Sequence, residues 1–255
     1  MSSMGGTAQA MAAESPKITC DDDGAVWIIT INRPSVRNAV DTEAAVLLAH
    51  AFKDFERNAA ARVAVLTGAG DFFCAGADLK EISSDGGQER WSRSELPPMG
   101  PSRLSLQKPV IAAIEGHAVA GGLELAIWCD LRVASETAVF GVFSRRWNLP
   151  LLDGGTVRLP RLIGQGRALD MIITGRPVEA REAFAIGLVN RLVPPGTARA
   201  AAIELARTVA SFPADALELD RAGVLRQWSL SEDCALDCEF SEGISAGSPA
   251  RLSRW

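Results

Sequence analysis

Three short, β-branched, almost uniformly apolar runs constrain this chain most: AVWIITINR (25–33), RVAVLTG (62–68) and PVIAAIEG (109–116). Each is too short for a helix of ordinary length and rich in Val and Ile, so each reads as a buried strand. The first is bounded by Asp21-Asp22-Asp23-Gly24 and by Pro34. Between the first two runs, Asp41 is a good N-cap for a helix over about 42–60, with Leu48, Phe52 and Phe55 on one stripe. FFCAGADL (72–79) is strand-like at its start and is broken by its glycine. AVAGGLELAIWC (118–129) has the length and composition of a buried helix opened by Gly121-Gly122, and RVAS (132–135) and AVFG (138–141) read as further short strands. Strands with intervening helices argue an α/β fold.

From Gln165 onward the pattern turns helical, at about 165–174, 179–187, 197–211, 214–227 and 231–245. That last quarter is either a separate layer or an oligomer-forming appendage. Residues 83–103 are polar with Gly and Pro clusters and read as a mobile loop or a short helix. The first 15 residues lack the basic start and apolar middle of a signal peptide and read as a disordered tail or cloning remnant. The divisions are therefore a tail (1–15), an α/β core (16–195) and a helical region (196–255).

Composition narrows the chemistry. With 255 residues the chain is long enough for a substantial core, and 26 Lys and Arg against 31 Asp and Glu leave a net charge of −5. That balance is opposite to what phosphate neutralisation on nucleic acid requires. The only histidines are His50 and His117 and there is no tyrosine, which excludes a multi-histidine metal site and a tyrosine acid. The five cysteines (Cys20, Cys74, Cys129, Cys234, Cys238) form no C-x-x-C pair and read as reduced, packed thiols in a cytoplasmic enzyme. No apolar run approaches the ~18 residues of a membrane span.

Two segments carry candidate chemistry. Gly121-Gly122 at a helix start leave backbone N–H groups free at the positive end of the helix dipole, a receptor for an oxygen that gains negative charge. Glu124 follows among Leu123, Leu125, Ala126 and Ile127. Apolar company disfavours a carboxylate and raises its pKa toward neutrality, as a general acid or base requires; the alternative is a first-turn glutamate that merely complements the dipole. In FCAGADLKE (73–81), Ala75-Gly76-Ala77-Asp78 place small residues where backbone comes close to something. That segment supplies either a second N–H donor of an oxyanion hole or simply a tight turn.

FCAGADLKE, then KPVIAAIEGHAVAGGLELAIWCDLRVAS (108–135), then GGTVRLPRLIGQGRALDMIITGRPVEAREAFAIGLVNRLV (154–193) resemble, in this order, the enoyl-CoA hydratase/isomerase (crotonase) family. WIITINRPSVRNAVD (27–41) resembles its N-terminal strand and turn. The resemblance spans roughly 18–245. It implies a spiral of ββα units around two nearly perpendicular sheets, with a C-terminal helical region that builds homotrimers or homohexamers. It also implies acyl-CoA thioester substrates, no metal, and no cofactor other than coenzyme A as part of the substrate.

Carried over by position, the resemblance gives the oxyanion hole to the N–H groups of Ala75 and Gly121. The backbone of Gly76, Ala77, Asp78 and Leu79 lines the groove for the adenine and pantetheine arm. Arg33 and Arg37 are either partners of the CoA phosphates or solvated turn residues. Glu124 falls on the first of two catalytic glutamates of the hydratases. The second falls on Ser144, in Phe140-Gly141-Val142-Phe143-Ser144, so the two-carboxylate mechanism is not available as written. Asp153 lies one residue from a position where isomerase-type members carry an aspartate; it is either the second acid–base group or the cap of a helix starting at Gly154-Gly155-Thr156. Arg145 and Arg146 either lower the pKa of Glu124 and bind an acyl carboxylate or sit at a surface or trimer contact. His117 is read as packing. Phe143 and Trp147 either shape the acyl pocket or belong to the core.

The leading expectation is an acyl-CoA enzyme of hydratase/isomerase type, with isomerisation fitting a single carboxylate better than hydration. Another crotonase reaction, such as thioester hydrolysis or decarboxylation, is the alternative. A serine hydrolase of the Clp type would need a histidine beside Ser144, which the motif order does not offer. A non-catalytic CoA- or RNA-binding module conflicts with Glu124 and with the acidic balance.

Overall fold

Alternate residues of the central strands point into two different cores. The computed structural model describes residues 15–84 and 96–246. The expectation of a disordered tail over 1–15 therefore falls, all but its last residue, outside the described residues, as does 85–95 of the 83–103 segment. The large sheet runs, in spatial order, β1 (Ile18–Asp23), β2 (Val26–Ile31), β3 (Val63–Gly68), β4 (Val110–Ile114), β6 (Leu131–Ser135) and β9 (Arg191–Val193). β1 is antiparallel to β2 and every other pairing is parallel. The small sheet joins β5 (His117–Val119), β7 (Val139–Gly141) and β8 (Val178–Glu179).

A parallel sheet covered on both faces needs apolar residues on both sides of each strand. Ile29 and Ile31 of β2, Ala64 and Leu66 of β3, and Ala112 and Ile114 of β4 enter one core. Val26 and Ile28, Val63 and Val65, and Ile111 and Ala113 enter the other. On the first side α1 (Thr42–Arg57) contributes Leu48, Phe52 and Phe55, all fully buried, each contributing ~1.5–3 kcal/mol of transfer free energy. Asp41 caps it, its Oδ1 accepting the Ala44 N–H at 2.8 Å.

The short α2 (Leu79–Ile82) follows the 73–78 segment, and α3 (Gly121–Trp128) follows β5. Then come α4 (Gly155–Ile163), α5 (Gln165–Thr174), α6 (Ala180–Ala185), α7 (Ala198–Ala210), α8 (Ala214–Arg226) and α9 (Glu232–Ala246). α7 does not belong with a detached C-terminal layer: it packs on β2, β3, β4 and β6 and closes the second core with Ala202, Leu205 and Ala206. α8 and α9 pack on each other, and Val224, Leu225, Trp228, Leu236, Phe240 and Ile244 are each more than half exposed.

Two further departures have local causes. Asp21-Asp22-Asp23 does not bound the first strand; it is the end of β1, an edge strand turned back on β2 through Gly24 at φ +66°. Residues 72–78 form no strand, only isolated bridges of Cys74 with Ala118 and of Val40 with Ala77. Within 96–103, Met99 and Ser102 are completely buried, so this end of the polar segment is packed.

Candidate active site

The site forms where the 73–78 segment meets the start of α3. Backbone contact between them is possible because of two glycines. A Cβ on Gly122 would lie 2.1 Å from the Cys74 carbonyl oxygen, and one on Gly76 (φ +95°) would lie 2.9 Å from the Gly121 nitrogen. Ala120 immediately before α3 has φ +52°, a strained conformation for a residue with a side chain, and its N–H is held by the Gly141 carbonyl at 2.9 Å. The chain therefore enters α3 with the Gly121 N–H outside the helical ladder.

The donor opposite it is not the one expected. The Ala75 N–H donates to the Arg37 carbonyl at 3.0 Å, so it is not free to receive a ligand oxygen. Ala77 is different: Val40 bonds to Gly76 O and Asp78 N on either side of it, and its own N–H finds no backbone partner among the described residues. Ala77 and Gly121 line one pocket, and neither N–H has a backbone partner among the described residues.

Glu124 enters the same pocket from the first turn of α3 and is 3% exposed. Its Oε1 accepts the N–H groups of Asp153 and Gly155, both at 2.8 Å, which places the carboxyl against the start of α4. Burial, and next the negative charge of Asp153, push its pKa up from 4.5 to about 7, against the lowering effect of those backbone donors. The carboxyl is thus poised between acid and base at neutral pH.

Asp153 is brought beside Glu124, but it does not cap α4. That N-cap is Gly154, with no side-chain bond, while the Asp153 Oδ1 accepts the Met99 N–H at 3.0 Å and the Ser102 hydroxyl. Arg158 fixes this corner by donating to the Asp153 carbonyl and the Ser102 carbonyl, both at 2.8 Å. Met99, Ser102 and Arg158 are supports that sequence reasoning missed. Their roles depend on segments about fifty residues apart in the chain, and no local pattern announces them.

Ser144 also lines the pocket; it is 7% exposed, and its hydroxyl has no hydrogen-bond partner. It sits on a short 3-10 helix, Phe143–Trp147, whose Phe143 and Trp147 contribute to the apolar lining along with Leu79, Leu149 and Leu152. Arg145 and Arg146 turn away. Arg145 Nε donates to the Ile172 carbonyl at 3.3 Å, and the Arg146 guanidinium lies 4.1 Å from the Phe143 ring centroid. Neither lines the pocket, and the Glu124 carboxyl is governed by burial and by Asp153 instead.

The two arginines near the entrance separate. Arg33 is committed: it ion-pairs with Asp41 at 2.9 Å and with Asp78 at 3.2 Å, and donates to the Ala39 carbonyl. It ties the turn before α1 to the cap of α2 and is not a free phosphate ligand. Arg37 is exposed, with its guanidinium 5.6 Å from the centre of the Phe72 ring. Phe72 also lies against His117, in keeping with a packing role for that histidine.

The family model described as Enoyl-CoA hydratase/isomerase matches residues 21–240. Enoyl-CoA hydratase EchA19 of Mycobacterium tuberculosis is 37% identical over 209 residues, covering 79% of this chain and 77% of that protein. The short-chain-enoyl-CoA hydratase of Clostridium acetobutylicum is 35% identical, covering 89% of this chain and 87% of its own length. Among solved structures, the enoyl-CoA hydratase of Bacillus anthracis superposes with a TM-score of 0.84 at 34% identity, over 93% of both chains. The chain has the crotonase fold and belongs to the enoyl-CoA hydratase/isomerase family.

Proposed function

We propose that this enzyme moves a proton at the α-carbon of an acyl-CoA thioester, the step common to adding water across a 2,3-double bond and to shifting that bond. The thioester oxygen sits between the N–H groups of Ala77 and Gly121, which stabilise it as it becomes an enolate. A single donor of this kind is typically worth ~3–4 kcal/mol in the transition state. Glu124 is the group that takes the proton and returns it. The observation that carries this reading is the buried Glu124 carboxyl, with a pKa of about 7, in one pocket with two uncommitted backbone donors.

Asp153 acts on Glu124 rather than on substrate. Its Oδ1 is held by Met99 and Ser102, and its charge keeps a proton on its neighbour. Coenzyme A enters as part of the substrate only, with Arg37 as the cation left for its phosphates and the 76–79 backbone beside its arm. The apolar faces of α8 and α9 pack against neighbouring copies in a homotrimer or homohexamer. Among the described residues no helix is long and apolar enough to cross a membrane, and the five thiols are free, which supports a cytoplasmic setting.

The test is a panel of 2-enoyl- and 3-enoyl-CoA thioesters with wild type and Glu124→Gln. Loss of all turnover with butyryl-CoA binding retained is the expected result. Turnover unchanged by Glu124→Gln overturns the assignment.

A further inference from the structure

Glu124 and Asp153 are two carboxyls of one pocket, 3% and 2% exposed, and the protein supports them differently. At mildly acidic pH, like charges sharing a buried site leave one carboxyl protonated, so a single proton is divided between the pair. Backbone N–H groups of Asp153 and Gly155 meet the Glu124 Oε1. The Asp153 Oδ1 accepts the Met99 N–H and, in addition, a side-chain donor, the Ser102 hydroxyl. A hydrogen bond donated to a carboxylate favours its ionised form, and such a charge-assisted bond is roughly twice as strong as a neutral one.

That hydroxyl is held in place. Ser102 lies in the 3-10 turn Pro101–Arg103 and is completely buried. The Arg158 guanidinium donates to the Ser102 and Asp153 carbonyls, both at 2.8 Å, so the serine and the aspartate are also joined through their backbones. Arg158, on α4, is a cation whose charge acts on both carboxyls. From the 73–78 segment the Cys74 thiol feels the charge of Asp153, but burial pushes it up to about 12 and it stays neutral. Arg145 and Arg146, on the 3-10 helix Phe143–Trp147, are turned to Ile172 and to the Phe143 ring. Arg158 therefore acts on both members of the pair, whereas the Ser102 hydroxyl acts on Asp153 alone.

We infer that Ser102 decides which carboxyl of the pair holds the proton: its hydrogen bond keeps Asp153 as the carboxylate and leaves the proton on Glu124, the group set to exchange it with substrate. Ser102 is a positioning residue that works through Asp153. Without its hydroxyl the proton passes from Glu124 to Asp153. One proton changes carboxyl and the charge of the pair stays the same. Asp153 then no longer presents the negative charge that keeps Glu124 protonated, and the Glu124 carboxylate appears at lower pH. The inference rests on the α-proton reading above.

The experiment follows deuterium exchange at C2 of butyryl-CoA against pD in wild type, Ser102→Ala, Ser102→Cys, Asp153→Asn and Ser102→Ala/Asp153→Asn. Loss of one charge-assisted hydrogen bond predicts that the midpoint falls by about one pH unit in Ser102→Ala. Ser102→Cys, a weaker donor of similar shape, shifts it the same way by less, and carries the test if the alanine protein does not fold. In the Asp153→Asn background Ser102→Ala moves the midpoint no further, because the carboxylate it served is gone. A serine that merely supports the turn would show no such dependence on Asp153. A midpoint unmoved in both Ser102 variants, or a shift that persists in full beside Asp153→Asn, overturns the inference while leaving the α-proton reading in place. Absence of exchange in wild type, or exchange that survives Glu124→Gln, overturns both.

Discussion

Replacing Glu124 with Gln should remove activity and at the same time stabilise the fold, increasingly so as the pH rises. The side chain is 3% exposed, so its ionisation in the native state is carried almost entirely by the protein interior. Its carboxyl titrates near 7 in the folded chain against 4.5 for an ordinary glutamate. Below 4.5 the group is protonated in both states and costs nothing. Between 4.5 and 7 the unfolded chain releases the proton while the folded chain holds it, so native stability falls with rising pH. Above 7 the loss is complete. At ~1.4 kcal/mol per pH unit of separation it amounts to about 3 kcal/mol. Gln is neutral throughout and keeps a carbonyl oxygen for the Asp153 and Gly155 N–H groups, so it escapes the loss without breaking those bonds. Urea denaturation of both proteins at pH 5, 6, 7 and 8 reads this directly. The stability difference, variant minus wild type, should grow by about 2–3 kcal/mol from pH 5 to pH 8. A difference that stays flat over that range would show that Glu124 is ionised normally, and the poised acid–base group would be gone.

Asp153→Asn removes the nearest negative charge, so the pH midpoint of activity should move to lower pH with turnover largely retained; activity abolished at every pH would make Asp153 a proton-transfer group in its own right. Ala77→Pro deletes the free N–H without breaking a backbone bond and should cut turnover ~10²–10³-fold in protein whose circular dichroism is native; near-normal rates would remove Ala77 from the hole. Phe240→Lys with Leu236→Lys places two charges on exposed apolar positions of α9 and should lower the mass measured by light scattering from that of a trimer or hexamer; wild type already monomeric at micromolar concentration would contradict the assembly.

How far the sequence reveals this molecule depends on the range of the forces involved. α5 is legible to the residue (165–174), and Glu124 is legible because two glycines and an apolar flank are local signals. β1 escapes because half of it is aspartate, and only pairing with β2 makes Ile18–Asp23 a strand. β8 and β9, two and three residues long, are too short to show any period. α7 carries an amphipathic pattern that fits an appendage as well as a sheet cover, and the sheet decides. In the site, small residues mark the 75–78 turn, but which N–H stays free depends on the Arg37 carbonyl reaching Ala75 from nearly forty residues away. Arg33 is likewise decided by distant partners, Asp41 and Asp78. That Ser144 falls where the resemblance puts a second glutamate is read from motif order alone; that Asp153 comes beside Glu124 is a fact of the fold.

The central claim is that Glu124 exchanges a proton with C2 of a thioester whose oxygen lies between Ala77 and Gly121. Deuterium incorporation at C2 of butyryl-CoA in D₂O, followed by mass spectrometry from pD 5 to 9, tests it most directly, since this substrate has no double bond to hydrate or shift. The account predicts exchange that rises with pD through a midpoint near 7, as the Glu124 carboxylate appears, and that is lost in Glu124→Gln. Exchange that persists in Glu124→Gln, or that runs at the same rate across the whole range, would contradict it.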